Sequence, residues 1–402
     1  MPSEMPSLKP RVLILGGGYA DIPMINAIKS LGYVVVSTGN VPDSPGHRYS
    51  DIYEFGDFSN CEEMLTIARR HNVVGCVPSC NDFAAISATY VSEALGLAGF
   101  DSSECAMILH HKDKFRDFCE SAGIPAPSSA RSFTRKDDAI AYVTSMESSA
   151  IVKPVDLTGG KGISVLGVGE DPGDAISKAF SITKAGRIVI ETFVEGSRHG
   201  YSAIIVSRKV AFGFLDNEHY AHNPFMVAAA SVPPMLTNDV GNTLACIVEQ
   251  IANTLDLVDG VFHVQFIMSV NGPVIIEVCR RPPGDLYVEF VSRSTGCDYA
   301  KAIVQGFLGL TIDVPQAVAF PSPFVRYCVM SEQFGVVKNV GYSAELRKMV
   351  VDEYRLWSVG DLITNPLVYK YSILFLRLDN ELDIINQVDK IRHLINIEME
   401  PS

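Results

Sequence analysis

The apolar positions of the chain change their period several times. Val12-Leu13-Ile14-Leu15 is an unbroken apolar run after Arg11, the pattern of a strand buried on both faces. Gly16-Gly17-Gly18 follows, and apolar residues then recur at helical spacing from Ala20 to Leu31. Val34-Val35-Val36 predicts a second strand, Cys61 to His71 a helix, Val73 to Val77 a third strand, and Asp82 to Leu95 another helix. Strands alternating with helices predict a parallel sheet with helices on its faces. This unit closes near Gly99. A helix from Lys112 to Ala122 and a stretch carrying Pro125 and Pro127 mark a boundary.

The middle of the chain has a different rhythm. Strands are predicted at Ala150–Lys153, Arg187–Ile190, Ser202–Val206, Val261–Ile267 and Val274–Val278, with helices at Ala175–Thr183 and Val240–Leu255. Asn271-Gly272 between two apolar runs predicts a tight hairpin. Beyond Phe320, strands are predicted at Phe324–Met330 and Ser372–Leu378. A helix over Leu382–Leu394 carries Ile384, Ile385, Val388, Ile391 and Leu394 on one face. The expected organisation is an α/β parallel-sheet unit over residues 1–110, an α+β region over 111–315, and a smaller α+β lobe over 316–402.

Composition narrows the function classes. The 402 residues are 47% hydrophobic and 20% charged, which supports sizeable cores and excludes a disordered chain. The net charge of −13, with no basic tract, argues against nucleic-acid binding. No apolar run approaches the ~20 residues that span a bilayer, and Met1–Pro10 has no signal-peptide core. A cytoplasmic protein with no membrane partner is expected. Nine scattered cysteines without paired CxxC spacing argue against a disulfide framework or a structural zinc site.

Candidate chemistry lies in several short segments. The glycine triplet invites a dinucleotide reading, but Pro23 stands near the place of the third fingerprint glycine and no acidic residue ends the second strand. A tight turn is the favoured reading. Lys114 lies on the helix after the first unit, and Lys153 ends a strand. Thr158-Gly159-Gly160-Lys161-Gly162 can lay backbone N–H groups over phosphates. Glu191-Thr192-Phe193-Val194 ends another strand. Gln265 lies on one arm of the predicted hairpin, and Glu277, Cys279, Arg281 and Gly284 follow on the other. Singly, each has an ordinary explanation: a solvated lysine, a flexible loop, an outward-facing glutamate. Asp216 to Pro224, with His219 and His222, reads as a polar loop between strands. It is a candidate substrate contact rather than a metal motif.

Taken in this order, the segments resemble the ATP-grasp superfamily, on the side of biotin carboxylase, carbamoyl phosphate synthetase and the L-amino acid ligases. The Glu-x-x-x-Arg-Pro-x-Gly stretch at Glu277, Arg281, Pro282 and Gly284 is the most diagnostic part. The resemblance implies a pre-ATP-grasp Rossmann-like domain, a two-lobed ATP-grasp fold and a small C-terminal lobe. It implies ATP and Mg2+ as cofactors, and it makes a homodimer plausible. It further implies that Lys114 and Lys153 bind nucleotide phosphates and that Thr158, Gly159, Gly160, Lys161 and Gly162 close over them. Glu191, Phe193 and Val194 would face adenine, and His199 the ribose. Glu277, helped by Gln265, would hold magnesium. Arg281 would steady the transferring phosphoryl group and the bound carboxylate, with Gly284, His219 and His222 near substrate. Three positions depart from the pattern: Gln265 stands where an acid is usual, Cys279 where asparagine is usual, and Arg198-His199 where an acidic ribose contact often lies.

The function expected on these grounds is an ATP-dependent carboxylate–amine ligase acting through an acyl phosphate and releasing ADP and phosphate. Its partners would be a small carboxylate and an amine. A bicarbonate-using carboxylase and a catalytically weakened nucleotide-binding protein are the alternatives. A nicotinamide dehydrogenase would rest on the glycine triplet alone.

Overall fold

The computed structural model describes residues 9–221, 223–316, 322–366, 369–380 and 382–400. Strands β1 (Arg11–Leu15), β2 (Val34–Gly39), β3 (Ile52–Phe55) and β4 (Gly75–Pro78) form a parallel sheet in the order β3-β2-β1-β4. The unbroken apolar run of β1 now has its cause. Val12 and Ile14 face one core, with Met24, Ile25 and Ile28 of helix α1 (Ile22–Ser30). Leu13 and Leu15 face another, with Met64, Leu65 and Ala68 of α2 (Cys61–His71) and Ala84, Ala88 and Val91 of α3 (Asp82–Leu95). A strand covered on both faces has no polar side to show. Helices α4 (Ser103–His110) and α5 (Lys112–Ala122) lead out of this unit.

The glycine triplet is a close-packed turn. A Cβ at Gly17 would lie 2.1 Å from the His47 ring, and one at Gly16, whose φ is 150°, would lie 2.3 Å from Ser79. The space a dinucleotide pyrophosphate would need above Gly17 is occupied by the imidazole. Pro23 enters the first turn of α1, where its missing N–H costs nothing.

The next lobe is a four-stranded antiparallel sheet of β5 (Arg131–Phe133), β6 (Ala150–Pro154), β7 (Ser164–Leu166) and β8 (Ile188–Thr192), in the order β5-β8-β6-β7. Facing it is an antiparallel sheet of eight strands. It begins with β9 (Ser197–Val206), β10 (Lys209–Tyr220), β11 (Val227–Val232), β12 (Gly260–Ser269) and β13 (Gly272–Cys279). The predicted hairpin is present: Ser269 pairs with Gly272, so Val270 and Asn271 make the turn.

Two expectations need correction. The polar segment Asp216–Tyr220 is not a loop but the end of β10, paired with both β9 and β11. The residues from 316 onward are not confined to a lobe of their own. Instead β14 (Phe324–Val329), β16 (Val350–Arg355) and β18 (Ser372–Arg377) extend the large sheet, in the order β13-β12-β9-β10-β11-β14-β18-β16. Only β15 (Gly335–Tyr342), β17 (Leu362–Ile363) and β19 (Ile395–Glu400) make a separate three-stranded sheet. The helix Ile384–Ile391, shorter than the expected Leu382–Leu394, buries Ile384, Val388 and Ile391 in a core shared with Val325 and Leu374 of the large sheet, while Ile385 is exposed. All nine cysteines are free thiols, and no helix of the described residues is long and apolar enough to cross a membrane.

Candidate active site

The four-stranded and eight-stranded sheets enclose a cleft of about 370 Å3. Lys153, Thr158, Gly159, Gly160, Glu191, Phe193, Val194, Gln265, Glu277, Arg281 and Gly284 all line it, although they lie far apart in sequence. Its roof is the glycine loop. Gly159, Gly160 and Gly162 have φ values of 68°, 74° and 70°, a backbone region that side chains resist. Gly160 also presses on Phe225, since a Cβ there would lie 2.8 Å from the Phe225 Cβ. Lys161 is exposed, and neither it nor Gly162 lines the cleft.

Lys114, expected at the phosphates, does not line the cleft, whereas Lys112 does. Lys114 points to solvent, whereas Lys112, Phe115, Arg116 and Cys119 form the buried face of α5. At about 100° per residue, position 114 lies about 60° from the exposed position 117 and almost opposite position 112. Lys112 Nζ reaches into the cleft, donating to the Leu157 carbonyl at 2.7 Å and lying 3.5 Å from Glu277 Oε1.

Glu191 faces inward. It is fully buried, with one oxygen held by Lys153 and the other accepting from Arg116 Nε at 2.8 Å. Burial alone would raise its pKa. Arg116 and Lys153 outweigh that and pull it down to about 2. Both oxygens are engaged, so the carboxylate orders Lys153 and leaves the wall beyond it to Phe193 and Val194. Arg116, absent from the sequence-based set, also donates to the Ile276 carbonyl at 2.6 Å and so ties α5 to β13.

On the floor of the cleft, Gln265 and Glu277 are directly paired across β12 and β13. Gln265 Nε2 donates to Glu218 Oε1 at 2.7 Å, and the Tyr220 hydroxyl donates to Glu218 Oε2 at 2.6 Å. Asp216, Glu218 and Tyr220 all line the cleft, alternating along β10 with Asn217 and His219, which face away. Burial raises the pKa of Glu218, and that of Asp216 more strongly. Cys279 is not a ligand in waiting. Its thiol is buried, donates to the Arg281 carbonyl at 3.6 Å, and is pushed by burial to about 11. The oxygens of Glu277 and Gln265 are hard donors of the kind magnesium takes. No group of three or more His, Cys, Asp or Glu that could hold a metal exists among the described residues.

At the inner end, Arg281 is gripped by the first domain. Its Nε donates to Asp82 Oδ1 at 2.9 Å, and Asp82 also pairs with His110 Nδ1 at 2.9 Å. Asp285 accepts from Tyr19 at 2.6 Å and from Lys370 at 2.7 Å, and Arg326 projects beside it from β14. This end therefore draws on all three parts of the chain. Asp216 Oδ2 and Arg326 Nε are buried there without hydrogen-bond partners among the described residues.

Two expected contacts lie elsewhere. His199 does not line the cleft; its ring nitrogens meet Ser197 Oγ at 2.7 Å and the Asp216 carbonyl at 3.2 Å. His219 is turned to Ser231 Oγ at 2.8 Å, on the opposite face of β10 from Glu218. Burial lowers the pKa of each to about 4. His222 lies outside the described residues.

Known proteins resemble this chain in sequence and in fold. The family model for the phosphoribosylglycinamide synthetase ATP-grasp (A) domain matches residues 110–285. A phosphoribosylamine–glycine ligase of Pyrococcus abyssi is 26% identical over 323 residues, covering 74% of this chain and 72% of that protein. The C-terminal section of the carbamoyl phosphate synthase large chain of Methanopyrus kandleri is 21% identical over 326 residues, or 75% of this chain. The match spans 58% of that relative's length. Among solved structures, an L-amino acid ligase from Bacillus licheniformis superposes with a TM-score of 0.79 at 16% identity, over 98% of this chain and 99% of that one. At that identity the likeness is one of fold.

Proposed function

We propose that this chain, whose residues 110–285 match an ATP-grasp family model, is an ATP-dependent ligase joining a small carboxylate to an amine, with ADP and phosphate as by-products. The observation that carries this reading is the convergence of Lys112, Lys153, Glu277 and Arg281 on one cleft beneath the glycine loop. Phosphoryl transfer is largely positioning and charge neutralisation, and these are the groups that perform it.

In this reading the loop amides of Thr158–Gly160 and the ammonium groups of Lys112 and Lys153 hold the triphosphate. Phe193 and Val194 pack on adenine, whose polar edge meets the backbone leaving β8. Glu277 and Gln265 are the residues that would hold magnesium, which when bound neutralises phosphate charge. A carboxylate oxygen of the substrate attacks the γ-phosphorus. The bond to the β,γ-bridging oxygen breaks, and ADP leaves with the electron pair. Arg281, fixed by Asp82, faces the resulting acyl phosphate. The amine then adds to the carbonyl carbon, the carbon–oxygen bond to phosphate breaks, and the nitrogen gives up a proton as the amide forms.

Incubation with ATP, magnesium, pooled small carboxylates and pooled amines tests the proposal. ADP release is expected only when both pools are present. Release with bicarbonate alone would overturn it in favour of carboxylation. Glu277→Ala should abolish the signal, and retained turnover would contradict its assignment.

A further inference from the structure

Position 265 poses a problem of charge. The strand pair that should present two acids to a metal presents one, Glu277, and an amide. An amide oxygen is a usable ligand for a hard cation, but it supplies no net charge.

The neighbouring strands supply what is missing. Strand β9 lies between β12 and β10 in the sheet, and the small residue Gly200 pairs with both Gln265 and Asp216. Gly200 carries no side chain, the Asp216 carboxylate lies over it, and Glu218 of β10 reaches Gln265 from across β9. It accepts the amide hydrogen of Gln265 on Oε1 and the Tyr220 hydroxyl on Oε2. No ion pair neutralises this carboxylate among the described residues, although Lys112, Lys153 and Arg281 around the same cleft are each paired with an acid. The bond from Nε2 also fixes the side chain. Gln265 Oε1 is left with no hydrogen bond among the described residues, on a side chain that lines the cleft beside Glu277.

We propose that Glu218 stands in for the missing acid at 265. It provides the second negative charge of the divalent-cation site and holds Gln265 so that its amide oxygen is presented to the ion. The division of labour separates ligand from charge. Gln265 offers the oxygen, and Glu218 makes the site anionic from the adjacent strand. The inference rests on the proposed metal–nucleotide reading of the cleft, and its test separates the two.

The test is direct binding of Mn2+ with ADP to the full chain, followed by titration calorimetry and by the paramagnetic signal of free Mn2+. Glu218→Gln, Glu277→Gln and the exchange variant Glu218→Gln with Gln265→Glu are compared with the parent. Binding of ADP without metal and the thermal midpoint serve as controls on folding. Removal of the charge in E218Q should weaken Mn2+–ADP binding about 10–100-fold, the range for partners that orient metal ligands. Metal-free ADP binding should be unchanged. The exchange variant, which returns the acid to position 265, should recover most of the loss. If E218Q binds Mn2+–ADP like the parent while E277Q does not, the role given to Glu218 is wrong and the metal site stands. An exchange variant as impaired as E218Q would equally refute the substitution of one acid for the other. If neither E218Q nor E277Q differs from the parent, the metal–nucleotide reading itself fails.

Discussion

At the scale of single residues, the cleft depends on charges buried in compensating sets. Glu191 answers both Arg116 and Lys153 in a site from which water is excluded. Replacing it with glutamine leaves two buried cations facing an amide. Glu191→Gln should lower the unfolding free energy by about 3–5 kcal/mol, the usual cost of stripping one partner from a buried ion pair. Urea unfolding checks this, and a loss below about 1 kcal/mol would show that the network is solvated. Legibility at this scale was uneven. Lys153, Glu277 and Arg281 could be read because each ends or follows a recognisable strand. The signal for Lys112 over Lys114 lies in the helix period: 112, 115, 116 and 119 share one face of α5, and that face is buried. Lys370 and Asp82 gave no local signal, because their significance comes only from the partners the fold delivers to them.

At the scale of elements, the glycine loop and β10 are the informative pieces. Gly159 and Gly160 share a left-handed backbone, but only Gly160 has a wall beside it; a Cβ on Gly159 meets nothing. Both alanine variants should pay a backbone cost of roughly 1–2 kcal/mol when the loop adopts this form. Gly160→Ala must in addition displace the loop from Phe225. It should therefore raise the KM for ATP more than Gly159→Ala does, and equal effects would mean that contact with Phe225 is not part of closure. Strand β10 shows why the sequence misled. An apolar-polar alternation marks a half-buried strand, but Asp216 to Tyr220 is polar on both faces. One face meets the cleft and the other meets Ser231, so no hydrophobic period survives to identify it. The helix and hairpin predictions succeeded where the opposite held: one face was apolar, or a turn dipeptide stood between apolar runs.

At the scale of the whole molecule, burial of neutral histidines makes stability depend on pH. His199, His219 and His263 are each buried, and burial depresses their pKa values to about 4, 4 and 3 from an ordinary 6.5. The unfolded chain takes up protons below pH 6.5 that the folded chain refuses. Their contribution is present in full above that pH and is lost as the pH falls toward the folded values. By pH 5 each should have cost about 2 kcal/mol of stability. Denaturant unfolding between pH 5 and 7.5 should show this slope, and His219→Gln should flatten it by about one histidine's share. An unchanged slope would place His219 in contact with water. Glu191 acts in a separate, more acidic window, since its stabilisation is lost only as pH falls from the ordinary 4.5 toward about 2.

The inner end of the cleft is also a whole-molecule property. Asp82 comes from the first domain, Arg281 follows β13, and Arg326 and Lys370 come from the last lobe. The order of these units was legible in the alternation of strand and helix. Their fusion through one eight-stranded sheet was not, because pairing between strands as distant as Val232 and Phe324 leaves no trace in local periodicity. In this reading the one cleft receives the phosphates of ATP, with Lys112 rather than Lys114 reaching them. Calorimetric binding of Mg2+–ADP to Lys112→Met and Lys114→Met tests this without knowledge of the substrates. A loss of roughly tenfold or more, about 1.4 kcal/mol, is expected for Lys112→Met, and parent-like binding for Lys114→Met. Loss confined to Lys114→Met would contradict it.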